Sequence, residues 1–239
     1  MNNLLEFPAP NNKKELFERL RKILKLGWQE MPADTKRYNG SGGAGCYLED
    51  LLGLKVGNQD IADVAGWEVK LYTPKTSLIT LFHKEPDSKV ILRYMVSRFG
   101  LTDRLGRKSF RHTIKGESEH FKVVSDAGNI IVRPFDELDG PVALWSHDTL
   151  LSIAGGKLRR LVLVYGERKG QLVNYQTVNC YENLLMTGLI NNLVSGKIAI
   201  DFDAREKEAG HKTLRNHGTK FRISPNDIGS LYKKKERLS

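Results

Sequence analysis

DIADVAGWEVKLY, residues 60–72, sets two acids and a lysine in and just before a short apolar strand. From Trp67 to Tyr72 polarity alternates. Glu68 and Lys70 therefore share one face and Trp67, Val69 and Leu71 the other, with side chains two apart lying roughly 6.6 Å from each other along a strand. Asp63 is separated from Glu68 by the turn-prone Ala65-Gly66, so the chain can return it to the start of the strand beside the Glu68 carboxylate. Carboxylates held that close need a compensating cation, and hard oxygens with open positions suit Mg²⁺, which keeps several waters and accepts phosphate oxygens. Such a centre serves phosphodiester hydrolysis: Asp63 and Glu68 hold the metal, and Lys70 orients the attacking water or steadies charge growing at phosphorus. A plain solvated face of alternating Glu and Lys explains the same spacing, which on its own does not separate the two readings. Chain geometry also admits Asp60 as the first acid.

The rest of the composition narrows the field. The 239 residues carry a formal net charge of +10, which points to a polyanionic partner, a nucleic acid or an acidic membrane surface. That length suits one large domain or two small ones. No apolar run approaches the roughly 20 residues of a membrane span, and the opening MNNLLEFPAPNNKKE lacks the order of a signal peptide, so the expected location is the cytoplasm. Cys46 and Cys180 are the only cysteines and support neither a disulfide framework nor a four-ligand zinc site.

Along the chain, Leu16, Phe17, Leu20, Ile23, Leu24 and Leu26 fall at close to helical spacing between Asn12 and Trp28, with Asn12 and Glu15 as an N-terminal cap pair. The glycine-rich YNGSGGAG, residues 38–45, runs into CYLEDLLG, residues 46–53, which reads as a short helix with Leu48, Leu51 and Leu52 inward and Glu49 off the stripe. It lacks the GxxxxGK[ST] phosphate loop, and its glycines let the backbone approach another surface or turn the chain. Residues 77–83 read as a strand, 90–99 as a helix, and 103–112 as a basic loop with Arg104, Arg107, Lys108 and Arg111. DAGN, residues 126–129, marks a hairpin between strands at 121–124 and 129–132. A short strand at 142–145, a helix at 146–154, a central hydrophobic strand at 158–165, a helix at 182–194 and a strand at 197–202 follow. Residues 203–219 read as a charged loop, SPND at 224–227 as the start of a closing helix, and KKKER at 233–237 as a frayed basic tail. Strands and helices intersperse without repeats, which predicts an α/β fold with a mixed sheet.

The glycine-rich loop, then L-E-D-L-L on a helix (residues 48–52), then the D-x₄-E-x-K strand (Asp63, Glu68, Lys70) resembles the MvaI/BcnI family of type II restriction endonucleases, related in fold to the mismatch-repair nicking enzyme MutH. TSLITLF at 76–82 looks like that family's second core strand, and NHGTKFRI at 216–223 like its C-terminal H-G-T-x-F-R-I segment. The islands keep the family's order across nearly the whole chain. The resemblance implies a restriction-endonuclease-like, MutH-like core with a DNA-binding cleft, forming a single PD-(D/E)xK nuclease domain over 1–239. Within it, a catalytic lobe (about 1–100 with 140–200) and recognition elements (about 101–135 and 203–223) are implied. It implies Asp63 and Glu68 as metal ligands, Lys70 as the motif lysine and Glu49 as an assisting acid. Ala62 stands where the motif has its proline. His211, Arg215, His217, Thr219 and Arg222 would contact DNA.

The implied activity is Mg²⁺-dependent hydrolysis of double-stranded DNA at a short near-palindromic site of the CC-N-GG type, with Mn²⁺ as a substitute metal. A monomer nicking one strand at a time and leaving 5′-phosphates is implied, with a cognate DNA methyltransferase as genetic partner and no membrane association. Alternatives are a repair nicking enzyme dependent on partner proteins, a noncatalytic DNA-binding protein and a basic RNA-binding protein.

Overall fold

Asn12 opens the first helix as its sequence promises: the side-chain oxygen accepts from the Glu15 amide at 3.0 Å, while its amide donates to the Glu15 carboxylate at 2.6 Å. The computed structural model describes residues 8–54, 62–88, 90–135, 140–210 and 213–238. In chain order the elements are α1 (Lys13–Leu24), β1 (Trp28–Glu30), α2 (Gly43–Leu51), β2 (Glu68–Tyr72), β3 (Ile79–His83), α3 (Ile91–Phe99), β4 (Leu101–Thr102), β5 (Lys108–Ile114), β6 (Phe121–Asp126) and β7 (Asn129–Pro134). There follow β8 (Ala143–Ser146), α4 (His147–Lys157), β9 (Arg160–Lys169), β10 (Leu172–Leu184), α5 (Met186–Val194), β11 (Ile198–Glu206), β12 (Leu214–Asn216), β13 (Lys220–Ile223) and β14 (Tyr232–Leu238). The class is the mixed α/β one expected. No helix among the described residues is long and apolar enough to cross a membrane.

The chain divides into two units, one of Met1–Ser77, Gly155–Leu184 and Tyr232–Ser239, the other of Leu78–Ala154 and Leu185–Leu231. In the first unit the strand order is β1-β10-β9-β2, with β14 also on β10. β1 and β14 share one edge of β10, pairing with its beginning and its end, and β2 lies parallel to β9 at the other side. Leu161, Val162, Leu163 and Val164 of β9 are all buried, the continuous apolar run that a strand covered on both faces requires. Leu16, Phe17, Leu20 and Ile23 of α1 and Leu48 and Leu51 of α2 close one core with Trp67, Val69 and Val164.

In the second unit a six-stranded sheet runs β3-β13-β11-β5-β4 with β12 on β11, and β6-β7-β8 form a smaller sheet. Phe110, Phe202, Phe221 and Trp145 interlock in its interior, Trp145 and Phe221 edge to face at 5.4 Å.

Several expectations are corrected. TSLITLF does not follow β2 in its sheet: it supplies β3 of the second unit, and the neighbour of β2 is β9. The basic segment expected as a loop is a strand from Lys108 on, because Phe110 and Ile114 alternate into the core between its cations. β10 continues through Glu182 to Leu184, so α5 starts only at Met186. The charged loop at 203–219 is partly strand, since Asp203–Glu206 extend β11 and Leu214–Asn216 pair back on it. After SPND there is a single 3-10 turn, Ile228–Leu231, and the basic tail is β14, where Lys234 faces Glu182 across the ladder.

Candidate active site

Ala65 and Gly66 both hold positive φ, 50° and 75°, making a two-residue turn clamped by the mutual hydrogen bonds of Val64 and Trp67 at 3.0 and 2.7 Å. Trp67 anchors that turn in the core, edge-on to Phe17 at 5.4 Å. The turn brings Asp63 back to β2, where its Oδ2 accepts the Val69 amide at 2.8 Å, a group left open because β2 ends its sheet. Asp60 lies outside the described residues.

Glu68 is fully buried, not on a solvated face. Lys70 Nζ lies 2.5 Å and Lys157 Nζ 3.7 Å from Glu68 Oε1. Both contacts fall on Oε1, where the Lys70 ammonium makes a charge-assisted contact, while among the described residues Oε2 has no hydrogen-bond or ion-pair partner. Burial foremost pushes the Glu68 carboxyl up to about 7; Lys70 and Lys157 oppose the rise and Asp63 adds to it. Glu49 projects from α2 near enough to feel these groups, its carboxyl raised by burial first and then by Asp63, with Arg37 and Lys70 pulling the other way. Arg37 ties Glu49 at 3.2 Å and Asp50 at 2.9 Å.

The structure thus gathers Glu49, Asp63, Glu68 and Lys70 in the first unit and adds Lys157, which sequence reasoning missed. Its only signal is a basic residue at the end of α4, and that helix's return to β2 depends on the parallel β2–β9 pairing. Lys157→Ala is expected to slow turnover roughly tenfold, because one of two charges steadying the Glu68 carboxylate goes, while Ca²⁺-supported DNA binding stays unchanged and Lys157→Arg restores part of the rate. Parent-like turnover in single-turnover assays would remove Lys157 from the centre.

Among the described residues no three His, Cys, Asp or Glu side chains are grouped so as to hold a metal ion by themselves. The donors present suit a hard divalent cation that keeps water and takes phosphate oxygens: among the described residues Glu68 Oε2 is unpaired, and Asp63 has Oδ1 beyond the Val69 bond.

The DNA-contact candidates lie in the second unit. Arg215 on β12 and His217 after it are exposed, and the His217 amide donates to the Asp203 carbonyl at 2.9 Å. Thr219 is buried, with its amide and hydroxyl on Glu85 at 2.9 and 3.2 Å, so its side chain holds the turn. Arg222 reaches Asp201 at 3.0 Å and the Leu78 carbonyl at 3.1 Å. His211 is outside the described residues. Sequence reasoning missed the partners on this sheet face: Asp203 pairs with Arg111 at 3.1 Å and Lys220 at 3.6 Å, and Arg205 stands opposite Arg215. The alternation Asp201, Asp203, Arg205 along β11 was the available signal.

The match of most of the chain to a restriction-endonuclease family defines the class of the protein, a type II site-specific endonuclease. More narrowly, residues 17–232 match the model of the MvaI/BcnI restriction endonuclease family, and the chain belongs to that family. Its fold is similar to that of restriction endonuclease MvaI in complex with its cognate DNA substrate, with a TM-score of 0.78 and 24% identity over 100% of both chains. MvaI in the absence of DNA matches with a TM-score of 0.57 and 23% identity, covering 98% of this chain and 100% of that one. No curated protein sequence matches the chain.

Proposed function

We propose that this protein is a Mg²⁺-dependent restriction endonuclease that hydrolyses double-stranded DNA at a short near-palindromic site of the CC-N-GG type, as a monomer cutting one strand at a time. The observation that carries the reading is the buried Glu68 carboxylate, short of hydrogen-bond donors and flanked by Lys70, Lys157 and Asp63. A purely structural ion pair would engage both oxygens; here the lysines sit on Oε1, and among the described residues Oε2 stays available. Asp63 and Glu68 would hold the cation, which when bound polarises the phosphodiester and makes water a better nucleophile. Lys70 orients the attacking water and balances charge at phosphorus, Lys157 steadies Glu68, and Glu49 shapes the field at the rim. Water oxygen bonds to phosphorus as the P–O3′ bond breaks, leaving a 5′-phosphate and a 3′-hydroxyl that takes the proton.

The second unit supplies sequence reading. Arginine donates to guanine O6 and N7 and aspartate accepts from cytosine N4, and the Asp201–Arg222 and Asp203–Arg111 pairs carry both types on one sheet face. Arg222, held by Asp201, is pre-aimed, while Arg215, His217 and His211 take bases or phosphates and Thr219 acts by fixing their turn through Glu85. Arg222→Ala is expected to weaken cognate binding by roughly 10–100-fold while nonspecific binding changes little. Equal affinity for cognate and scrambled duplexes before and after the substitution would dismiss Arg222 as a reader.

Mn²⁺ would substitute for Mg²⁺. A DNA methyltransferase would protect host sites, and the working compartment would be the cytoplasm. The test is unmethylated plasmid with Mg²⁺, EDTA and Glu68→Gln controls, and sequenced ends. Discrete metal-dependent fragments sharing one short site support the reading; plasmid cut only when repair proteins are added would make this a partner-dependent nicking enzyme.

A further inference from the structure

Beside the acid–lysine centre the first unit opens a groove of about 750 Å³, with Glu49 and Lys70 in its wall. Ser41, Gly42, Ala44 and Gly45 line it, as do Thr73–Thr76 and the end of β9 with Gly170.

Internal packing explains only one of the glycines here. A Cβ on Gly43 would fall 1.9 Å from the Tyr38 carbonyl oxygen, so a side chain there is excluded by the protein itself. A Cβ on Gly42 or Gly45 meets nothing within 4 Å, Gly42 has an ordinary φ of −81°, and Gly45 is inside α2, where glycine weakens a helix relative to alanine. Neither strain nor packing requires these two bare positions. Their shared property is that both line the groove.

The turn that carries them is built, not slack. Arg168 donates to the Gly40 and Tyr38 carbonyls at 2.6 and 3.0 Å, Gln171 to Asn39 at 2.9 Å, and Tyr175 to the Ala44 carbonyl at 2.7 Å. The floor is aliphatic, with Leu48, Val69 and Leu71, and the charged lining is four cations (Lys70, Lys75, Arg168, Lys169) against two acids (Glu49, Glu167). Among the described residues no aromatic ring lines it, so these residues offer no platform for a stacked base. Lys169 lies 4.6 Å over the Trp28 ring, while Lys75 is exposed at the rim.

We infer that this groove is the channel for the sugar–phosphate backbone of the cut strand beside the scissile phosphate. Deoxyribose faces rest on the aliphatic floor, the backbone approaches closely at Gly42 and Gly45, and Lys75 takes a phosphate. The inference rests on the nuclease reading above and deepens it.

The test uses Gly45→Leu and Lys75→Ala in the full chain, read by melting temperature, by duplex binding in Ca²⁺ at several salt concentrations, and by cleavage in Mg²⁺. Gly45→Leu should melt at or above the parent, since leucine favours helix, yet bind and cut on the order of tenfold less well. Lys75→Ala should weaken cognate and scrambled duplexes alike and lower the salt slope by about one. Parent-like binding and cutting by Gly45→Leu, or an unchanged slope for Lys75→Ala, overturns the channel. A parent that binds DNA without cutting it refutes the nuclease reading and with it the assignment to a cut strand, while a Gly45→Leu variant that then binds less well keeps the groove as a seat for a DNA backbone. A parent that neither binds nor cuts removes both.

Discussion

Lys70→Ala is expected to lower the single-turnover cleavage rate by roughly 10²–10³, the effect of removing one preorganised charge from a transition state, with cognate binding in Ca²⁺ nearly intact. The ammonium lies 2.5 Å from Glu68 Oε1, is only partly exposed, and stands in the groove wall where a phosphate would pass. Lys70→Arg should not restore the rate, because a planar guanidinium does not replace a compact ammonium at a site of that size. Glu68→Gln should be as damaging, and it is preferable to alanine because it keeps the side-chain volume between Lys70 and Lys157. Rate and melting temperature are to be measured together. A variant that melts like the parent and cuts like it would sink the assignment; loss of folding in both Lys70→Ala and Glu68→Gln would make the cluster a structural ion-pair network instead.

How much of this was legible beforehand depended on how local the governing interactions are. The Asn12 cap, the DAGN hairpin and the Ala65-Gly66 turn are each settled within a few residues, and each forms as the sequence indicates. The D-x₄-E-x-K spacing is local too, so Asp63, Glu68 and Lys70 could be named; the burial of Glu68 could not, because it comes from packing that is distant in sequence. β10 escaped notice for a physical reason. Val173 and Tyr175 point inward with Val178 and Cys180, but an irregularity between Tyr175 and Thr177 shifts the alternation, so the period-two signal cancels across the strand. β14 misled in the opposite way: a run of lysines looks like a solvated tail until Glu182 lies across from it and binds Lys234 at 3.2 Å. The same holds for β5, whose cations hide the inward alternation of Phe110 and Ile114. In the second unit Arg222 was visible in NHGTKFRI, whereas its partner Asp201 lies on another strand and becomes a partner only through the β11–β13 register.

Without metal, the protein is expected to become less stable as pH rises from about 5 to 8, and Glu68→Gln should flatten that decline. The Glu68 carboxyl, ordinarily at 4.5, is pushed up to about 7 in the folded chain. Between those values the folded state binds a proton that the unfolded chain has released, so folding is favoured at the acid end and the advantage disappears as pH climbs through the folded value. Among the described residues the groups facing Glu68 are Lys70 on its own strand, Lys157 from α4 and Asp63 from the preceding turn, with the buried Tyr232 hydroxyl also within its field. A rise of that size corresponds to roughly 3 kcal/mol across the window, or about 6–12 °C in melting temperature for a chain of this length. Melting curves in chelator at several pH values, parent against Glu68→Gln, measure it, and parallel curves for the two proteins would refute it. The same experiment reaches the proposed function. An ionised, buried carboxylate with one oxygen left unpaired is a standing penalty that a bound cation relieves, so Ca²⁺ should raise the parent's melting temperature more at pH 8 than at pH 5 and leave Glu68→Gln almost unmoved. An equal Ca²⁺ response in both proteins would place the cation elsewhere and take Glu68 out of its ligand set.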